Sequence, residues 1–221
     1  MFTDTTRLPV DVPAVKRARR RTSESQAEFK RELLAFAKAL YHERGCEALS
    51  IRTLTDAFGM SAMSFYGYFE SKQDLVRHIL TDIFEELLIR LRPCELAGRS
   101  SMQVLEAHVQ AYIDYWEQHP QHFRLVYLPQ SATLGDEPIS FRDDPVYLQL
   151  IHLGAERVRA CLGRVEMTPI DLRVLHDLLF VKALGYLHAT LVVGRFEGEY
   201  RARLRRVVVQ DIVETVAHAA V

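Results

Sequence analysis

The stretch that decides the fold covers residues 50–72 and reads SIRTLTDAFGMSAMSFYGYFESK. It divides into two short helices joined by a turn at Gly59, a residue that readily takes the positive φ that a reversal of the chain needs. Ser50 and Ser61 are predicted N-caps, because each hydroxyl can accept a hydrogen bond from a backbone N–H that the first helical turn leaves unpaired. A bracing helix followed by a short helix with small, polar side chains is typical of a helix-turn-helix, whose second helix enters the DNA major groove.

Helical periodicity continues on both sides of this stretch. Apolar residues recur at helical spacing from about Glu24 to Arg44, and Gly45 ends that helix. After the helix-turn-helix, Ser71 is expected to cap a long helix over 72–92, which Pro93 ends.

The rest of the chain also predicts helices, because no segment alternates between polar and apolar residues as a half-buried strand does. Pro120, Pro145 and Pro169 each begin a predicted helix, and a last helix spans roughly 199–219. The predicted fold is therefore all-α.

We divide the chain into four segments. The proposed boundaries are a disordered basic arm at 1–23, a three-helix helix-turn-helix domain at 24–72, a connecting helix at 73–92 and a helical domain at 93–221.

The formal net charge is −1, which excludes a strongly basic protein that binds polyanions over its whole surface. Basic residues nevertheless cluster at 16–21, just before the first helix. Such an arm can neutralise phosphates or enter a minor groove, and the alternative is a solvated tail without a partner.

Other classes of protein lack support in the composition. No apolar run is long enough to span a membrane, and the N-terminus has no secretory signal. The three cysteines, Cys46, Cys94 and Cys161, are too far apart for a disulfide framework or a zinc knuckle. The chain also lacks a phosphate-binding glycine loop, a nucleophile elbow and a metal-ligand pattern among its histidines. We expect a cytoplasmic protein without cofactor, metal or enzymatic activity.

Residues 29–75 resemble the DNA-binding domain of TetR-family transcriptional regulators. The resemblance rests on the helix that ends at Gly45, on the FGMS turn at 58–61, and on FYGYF at 65–69 followed by SKQDL at 71–75. A weaker likeness to the ligand-binding domain of one TetR subgroup lies in YIDYWEQHP at 112–120 and LGYLH at 184–188. The resemblance implies a C-terminal helical domain that binds a ligand and forms a dimer.

The family motif also assigns roles to residues near the DNA. The implied DNA contacts are Arg52, Thr53, Ser61, Ala62, Met63, Ser64, Tyr66, Tyr68 and Lys72. Ala62 and Met63 stand where many members have lysine and glycine, so the family motif does not predict the operator sequence of this chain. For Tyr66 and Tyr68 the alternative role is packing, and Lys72 has the alternative of an ordinary surface lysine.

An aromatic stripe in the C-terminal domain is a candidate lining for a ligand pocket. Its members are Trp116, Phe123, Tyr127, His176, Phe180 and Leu184. A cavity of this composition suits a small organic molecule of unknown identity. The alternative is that these side chains are ordinary core.

The last two helices carry wide apolar stripes, which predict a homodimer through a four-helix interface. The stripes are Val174, Leu178, Val181 and Gly185 on one helix, and Leu204, Val208, Ile212 and Thr215 on the other. Two-fold symmetry would place two recognition helices on a palindromic operator.

Two functions from different classes follow from these features. The first is a repressor that a small-molecule effector releases from an operator in double-stranded DNA. The alternative is a helical ligand-binding or interaction scaffold whose helix-turn-helix docks a protein partner. A scaffold has no need for the basic arm, for Tyr66 or for Lys72, which favours the regulator.

Overall fold

The structure is a computed structural model that describes residues 23–94, 98–128 and 140–220. Within these ranges the chain forms nine α-helices and no strand, which confirms the predicted all-α class. The helices are α1 (Ser23–Arg44), α2 (Ile51–Phe58), α3 (Ala62–Phe65), α4 (Lys72–Leu91), α5 (Ser101–Gln118), α6 (Pro120–Tyr127), α7 (Pro145–Leu162), α8 (Pro169–Leu191) and α9 (Gly198–Ala219). The predicted basic arm, apart from Ser23, lies outside the described residues.

Helices α1 to α3 pack around a small aromatic core beside the start of α4. Phe65 and Phe69 are fully buried, with ring centroids 5.5 Å apart, and they anchor the short α3. The Phe58 ring at the end of α2 lies 5.5 Å from Phe29 and 5.1 Å from Phe36, both in α1. These apolar contacts hold α3 in place, because a four-residue helix has too few hydrogen bonds to be stable alone.

Helices α4, α5, α7, α8 and α9 form the C-terminal bundle. The largest fully buried side chain is Trp116 of α5, and Phe123 of α6 packs 5.8 Å from its ring. Helix α4 belongs to both packing units, since Leu75 is buried near its start and Leu91 at its end. A displacement of α4 therefore changes the packing in both units.

The two stripes predicted for dimerisation differ in the structure. On α8, Val174, Leu178 and Val181 are 62%, 42% and 60% exposed. On α9, in contrast, Ile212 is fully buried inside its own subunit, so its prediction as a dimer contact is wrong. The core-facing stripe of α9 is Val209, Ile212 and Val216, whose spacing places them on one face.

None of the helices in the described part of the chain is long and apolar enough to cross a membrane.

Candidate nucleic-acid interface and internal cavity

The turn between α2 and α3 has the capping that the sequence predicts. Ser50 Oγ accepts a hydrogen bond from the N–H of Thr53 at 3.0 Å, and Ser61 Oγ accepts one from Ser64 at 3.1 Å. Gly59 has φ 78°, and its N–H donates to the carbonyl of Thr55 at 3.0 Å. A side chain with a Cβ would be strained at that φ, so glycine sets the angle between the two helices.

Helix α3 turns one face inward and the rest outward. Phe65 is its buried anchor, while Ala62, Met63 and Ser64 are exposed. Met63 is 86% exposed and Tyr66, which follows the helix, is 55% exposed. The Met63 side chain therefore contributes little to the packing of the subunit.

The remaining predicted contacts lie around this helix. The Arg52 side chain is 93% exposed and makes only a loose 3.8 Å ion pair with Asp56. Tyr68 is half-buried, with its ring 4.6 Å from Phe29, so packing accounts for much of its position. Thr53 Oγ1 lies 2.6 Å from Ser50 Oγ.

Lys72 is the first residue of α4 and follows the cap at Ser71, whose Oγ accepts from the Asp74 N–H at 3.1 Å. This places Lys72 at the helix terminus nearest to α3. The predicted DNA contacts thus lie in α2, in and just after α3, and at the start of α4.

A polar network joins α1 to the C-terminal bundle. The Nε2 atoms of His42 in α1 and His122 in α6 are 2.7 Å apart, and His122 Nδ1 lies 3.1 Å from the Tyr115 hydroxyl. That hydroxyl donates to Glu86 at 3.3 Å, and Glu86 also accepts from Lys38 of α1 at 2.7 Å. Burial would raise the pKa of Glu86, but the hydrogen bond and charge of Lys38 outweigh it and lower that pKa.

Two further contacts tighten this junction, which we call the α1–α6 junction. The Tyr41 hydroxyl donates to the carbonyl of Gln121 at 2.9 Å, and the His119 ring stacks on His122 with centroids 5.1 Å apart. Burial, followed by the charge of His42, lowers the pKa of His122 to about 4. The ring is therefore neutral near pH 7.

A cavity of about 410 Å³ lies between α4, α5, α7 and α8. Its wall is mostly aliphatic and aromatic, with Phe84, Leu87 and Val109 among its members. A cavity of this size and character is typical of sites for small organic molecules.

The predicted pocket residues divide into two groups. Tyr127, His176 and Phe180 line the cavity. Trp116 and Phe123 are fully buried behind Tyr127, with ring centroids 5.4 Å and 5.0 Å from it, and Leu184 also lies outside the lining.

A pair of phenols is the first polar feature of the cavity wall. The hydroxyls of Tyr112 and Tyr127 are 3.0 Å apart, and the nearby Tyr147 also lines the cavity. Burial raises the pKa of Tyr112 to about 12 and raises the pKa of Tyr127 well above its usual value. All these phenols are protonated at neutral pH and act as neutral hydrogen-bonding groups.

His108 is the second polar feature, and a buried arginine fixes its state. Arg157 of α7 donates to His108 Nδ1 and, at 2.8 Å, to the carbonyl of Leu91 at the end of α4. Burial, with the Arg157 charge next, lowers the pKa of His108 to about 3. Because a guanidinium can only donate, the neutral ring accepts at Nδ1 and carries its proton on Nε2.

Sequence reasoning missed His108 and Arg157 as parts of this wall. A signal was present, because Gly154, Arg157 and Val158 share one face of α7 by their spacing. A charged residue on an otherwise small and apolar face indicates a buried polar contact. Gly154 keeps room there, since a Cβ at that position would lie 2.7 Å from Nε2 of His176.

Among the described residues, no group of three or more histidine, cysteine, aspartate or glutamate side chains is arranged to hold a metal ion. Cys94 and Cys161 are free thiols there, and burial raises the pKa of Cys161 to about 11, which keeps it protonated and unreactive.

Residues 33–79 match the family model of bacterial regulatory proteins of the tetR family. Over 78 residues the chain is 37% identical to the HTH-type transcriptional repressor KstR2 of Rhodococcus jostii, a segment that covers 35% of this chain and 38% of that repressor. The chain thus matches well under half of this relative's length.

Solved structures extend the likeness over most of the fold. The regulatory protein SCO4313 superposes with a TM-score of 0.66 at 18% identity, over 88% of this chain and 100% of that one. BioQ bound to its natural double-stranded DNA operator superposes with a TM-score of 0.60 at 17% identity, over 85% and 97%. At these identities the likeness concerns the fold alone.

Proposed function

We propose that the chain, whose residues 33–79 match the family model of bacterial regulatory proteins of the tetR family, is a homodimeric transcriptional repressor that a small-molecule ligand releases from a palindromic operator. The observation that carries the proposal is the exposed α3, held by buried Phe65 and capped by Ser61, with Lys72 at the start of the following helix. The proposal gives the chain no catalytic role and places it in the cytoplasm, where its operator is.

In this proposal α3 reads the operator through small and apolar contacts. Ala62 and Met63 have no hydrogen-bonding group, so they suit the thymine methyl in the major groove, while Ser64 can bond to either partner of a base pair. Arg52, Tyr66 and Lys72 supply contacts to phosphates, which set position and affinity rather than sequence preference. The basic residues at 16–21 add sequence-independent attraction.

The dimer is assigned to α8 and α9. The exposed Val174, Leu178 and Val181 support a symmetric contact through α8, because a contiguous apolar stripe in water is unfavourable until it is covered. Two-fold symmetry then sets the two α3 helices about 34 Å apart, one turn of B-DNA.

Release by a ligand follows from the position of the cavity. Helix α4 lines the cavity with Phe84 and Leu87 and carries Lys72 at its other end. The ligand prefers a form of the dimer in which the spacing of the two α3 helices does not fit the operator. Operator binding is then weakened by the difference between the ligand's affinities for the two forms of the dimer.

The test is a fluorescence anisotropy titration of DNA from upstream of the protein's own gene. We expect wild-type protein to bind at nanomolar to micromolar concentration in a salt-dependent manner. Met63→Glu should lower the affinity for DNA at least tenfold, because the phosphates and the base acceptors of the groove repel a carboxylate. Ile89→Glu is the matched control, since Ile89 is 67% exposed on α4 and about 25 Å along the helix from Lys72.

Equal binding by wild-type protein and Met63→Glu, or no preference for this DNA over an unrelated duplex, would overturn the proposal.

A further inference from the structure

We propose that the cavity takes an uncharged, predominantly apolar ligand with a hydrogen-bond-accepting oxygen, such as a ketone, recognised by the Tyr112–Tyr127 hydroxyl pair and by His108. The inference rests on the proposed function only in calling this molecule an effector. The chemistry of the cavity wall does not depend on DNA binding.

The hydroxyl pair always presents one free donor. Each phenol has one O–H, and a hydrogen bond between two phenols consumes one of the two. Whichever tyrosine donates to the other, the second O–H remains to donate to a third group. A pair of neutral phenols in an apolar wall therefore selects for an acceptor on the ligand.

His108 adds a second donor of the same kind. Its Nδ1 is occupied by Arg157, which lies outside the cavity lining, so the ring offers a ligand its Nε2–H. The same arginine bonds to the last carbonyl of α4, so the donor is held rigidly between three helices. A rigid donor loses little entropy when it binds an acceptor.

The formal charges in the wall cancel, which disfavours an ionic ligand. Arg173 and Asp177 are the charged residues of the lining; they pair with each other at 3.1 Å, and their side chains are 65% and 52% exposed, so they lie at the open edge of the cavity and not in its interior. His176 Nδ1 lies 3.2 Å from the same carboxylate group. A buried carboxylate or ammonium on the ligand would lose its hydration without gaining an uncommitted counter-charge in the lining.

The protein carries its own reporter for this site. Trp116 is the single tryptophan of the chain, and its ring lies 5.4 Å from Tyr127 and 6.0 Å from Tyr112. A ligand that engages the hydroxyl pair changes the surroundings of the indole without touching it. Tryptophan fluorescence therefore reports binding at this part of the cavity.

The experiment titrates the full chain with 2-undecanone, cyclododecanone, undecanoate and undecylammonium while tryptophan fluorescence is recorded. We expect at least one of the two ketones to bind saturably and at least tenfold more tightly than either ion. Cyclododecanone is compact and 2-undecanone is extended, so the two ketones test two molecular shapes with the same functional group.

Variants separate recognition from packing. Because either hydroxyl can serve alone, Tyr112→Phe and Tyr127→Phe should each weaken ketone binding about threefold or less, and the double variant should lose more than the product of the two. Tyr200→Phe, at a 63% exposed position in α9, is the matched control and should bind as the wild type does. Phenylalanine preserves the ring, so a purely packing role predicts no loss in any of the three.

Tighter binding of either ion, no saturable binding of either ketone, or unchanged ketone binding by the double variant would each overturn the proposal. Operator binding is measured on the same samples. Ketone binding without operator binding would refute the proposed function alone, and operator binding without ketone binding would refute this inference alone.

Discussion

The Nε2 atom of His42 in the DNA-binding unit lies 2.7 Å from the Nε2 atom of His122 in the C-terminal bundle. A hydrogen bond between two imidazoles requires one ring to donate and the other to accept. Each neutral imidazole has one nitrogen that donates and one that accepts, and His122 also bonds to the Tyr115 hydroxyl through Nδ1. The contact therefore exists only while at least one ring is neutral.

This geometry predicts that acid weakens the α1–α6 junction. The pKa of His42 is lowered by burial and then by the His119 charge, and that of His122 is lowered to about 4. A depressed pKa means that the neutral form is favoured by folding, so the stabilisation is complete above the unfolded-state pKa near 6.5 and is lost as the pH falls towards 4. We expect the free energy of unfolding to fall by about 1–2 kcal/mol between pH 7 and pH 5.

Urea unfolding at the two pH values measures this change. The comparison protein carries His42→Gln together with His122→Gln, because two amides can still form a hydrogen bond but do not titrate. It should show a shallower dependence on pH than the wild type. The same pH dependence in both proteins would contradict a role for this pair.

Lys72 should contribute one phosphate contact to DNA binding. We expect Lys72→Ala to weaken operator binding and to reduce the slope of log affinity against log salt concentration by about one unit. Arg159→Ala is the control, since Arg159 is an exposed cation on α7, away from α3. Anisotropy titrations at several salt concentrations give the slopes, and equal slopes for wild type and Lys72→Ala would refute the contact.

Charge substitutions should separate the dimer interface from the subunit core. Val174→Glu places a carboxylate on the exposed stripe of α8, so we expect folded monomers with weaker operator binding. Ile212→Glu instead buries an unpaired charge within one subunit, which should lower the free energy of unfolding by about 3 kcal/mol or more.

Sedimentation velocity and urea unfolding distinguish the two effects. Leu148→Glu, at a 49% exposed position on α7, should change neither the assembly nor the stability. A Val174→Glu protein that remains dimeric would count against the α8 interface, and a stable Ile212→Glu protein would count against the packing of α9.

Local chemistry made much of this fold predictable from the sequence. The caps at Ser50 and Ser61 and the positive φ of Gly59 depend only on neighbouring backbone groups. Helix starts at Pro120 and Pro145 follow for the same reason, because proline suits the first turn and cannot continue a helix from before it. These features need no knowledge of distant contacts.

The orientation of a helix about its axis was harder to predict. In α9 three valines in a row, at 207–209, give no single apolar face, and the predicted interface stripe therefore includes Ile212, which is buried in its own subunit. Spacing likewise identified the aromatic residues of α5 and α6 but could not tell which side of each ring meets a cavity.

Contacts between distant residues were beyond the sequence altogether. His42 and His122 are 80 residues apart in the sequence, and Arg157 and His108 are 49 residues apart. No local pattern specifies these pairs, because the packing of α1 against α6 and of α7 against α5 creates them. The chemistry of the cavity wall and of the α1–α6 junction therefore came from the structure.

In the proposed complex with DNA, the exposed Met63 on α3, a helix without a charged residue, makes binding depend on the methylation state of the DNA. A side chain that senses a methyl group in the major groove meets the same methyl on thymine and on 5-methylcytosine. Replacing thymine by uracil removes that group without changing the base pairing. A regulator built in this way would respond to the methylation of its operator as well as to the base sequence, so epigenetic marking of the DNA could change its occupancy with no effector present.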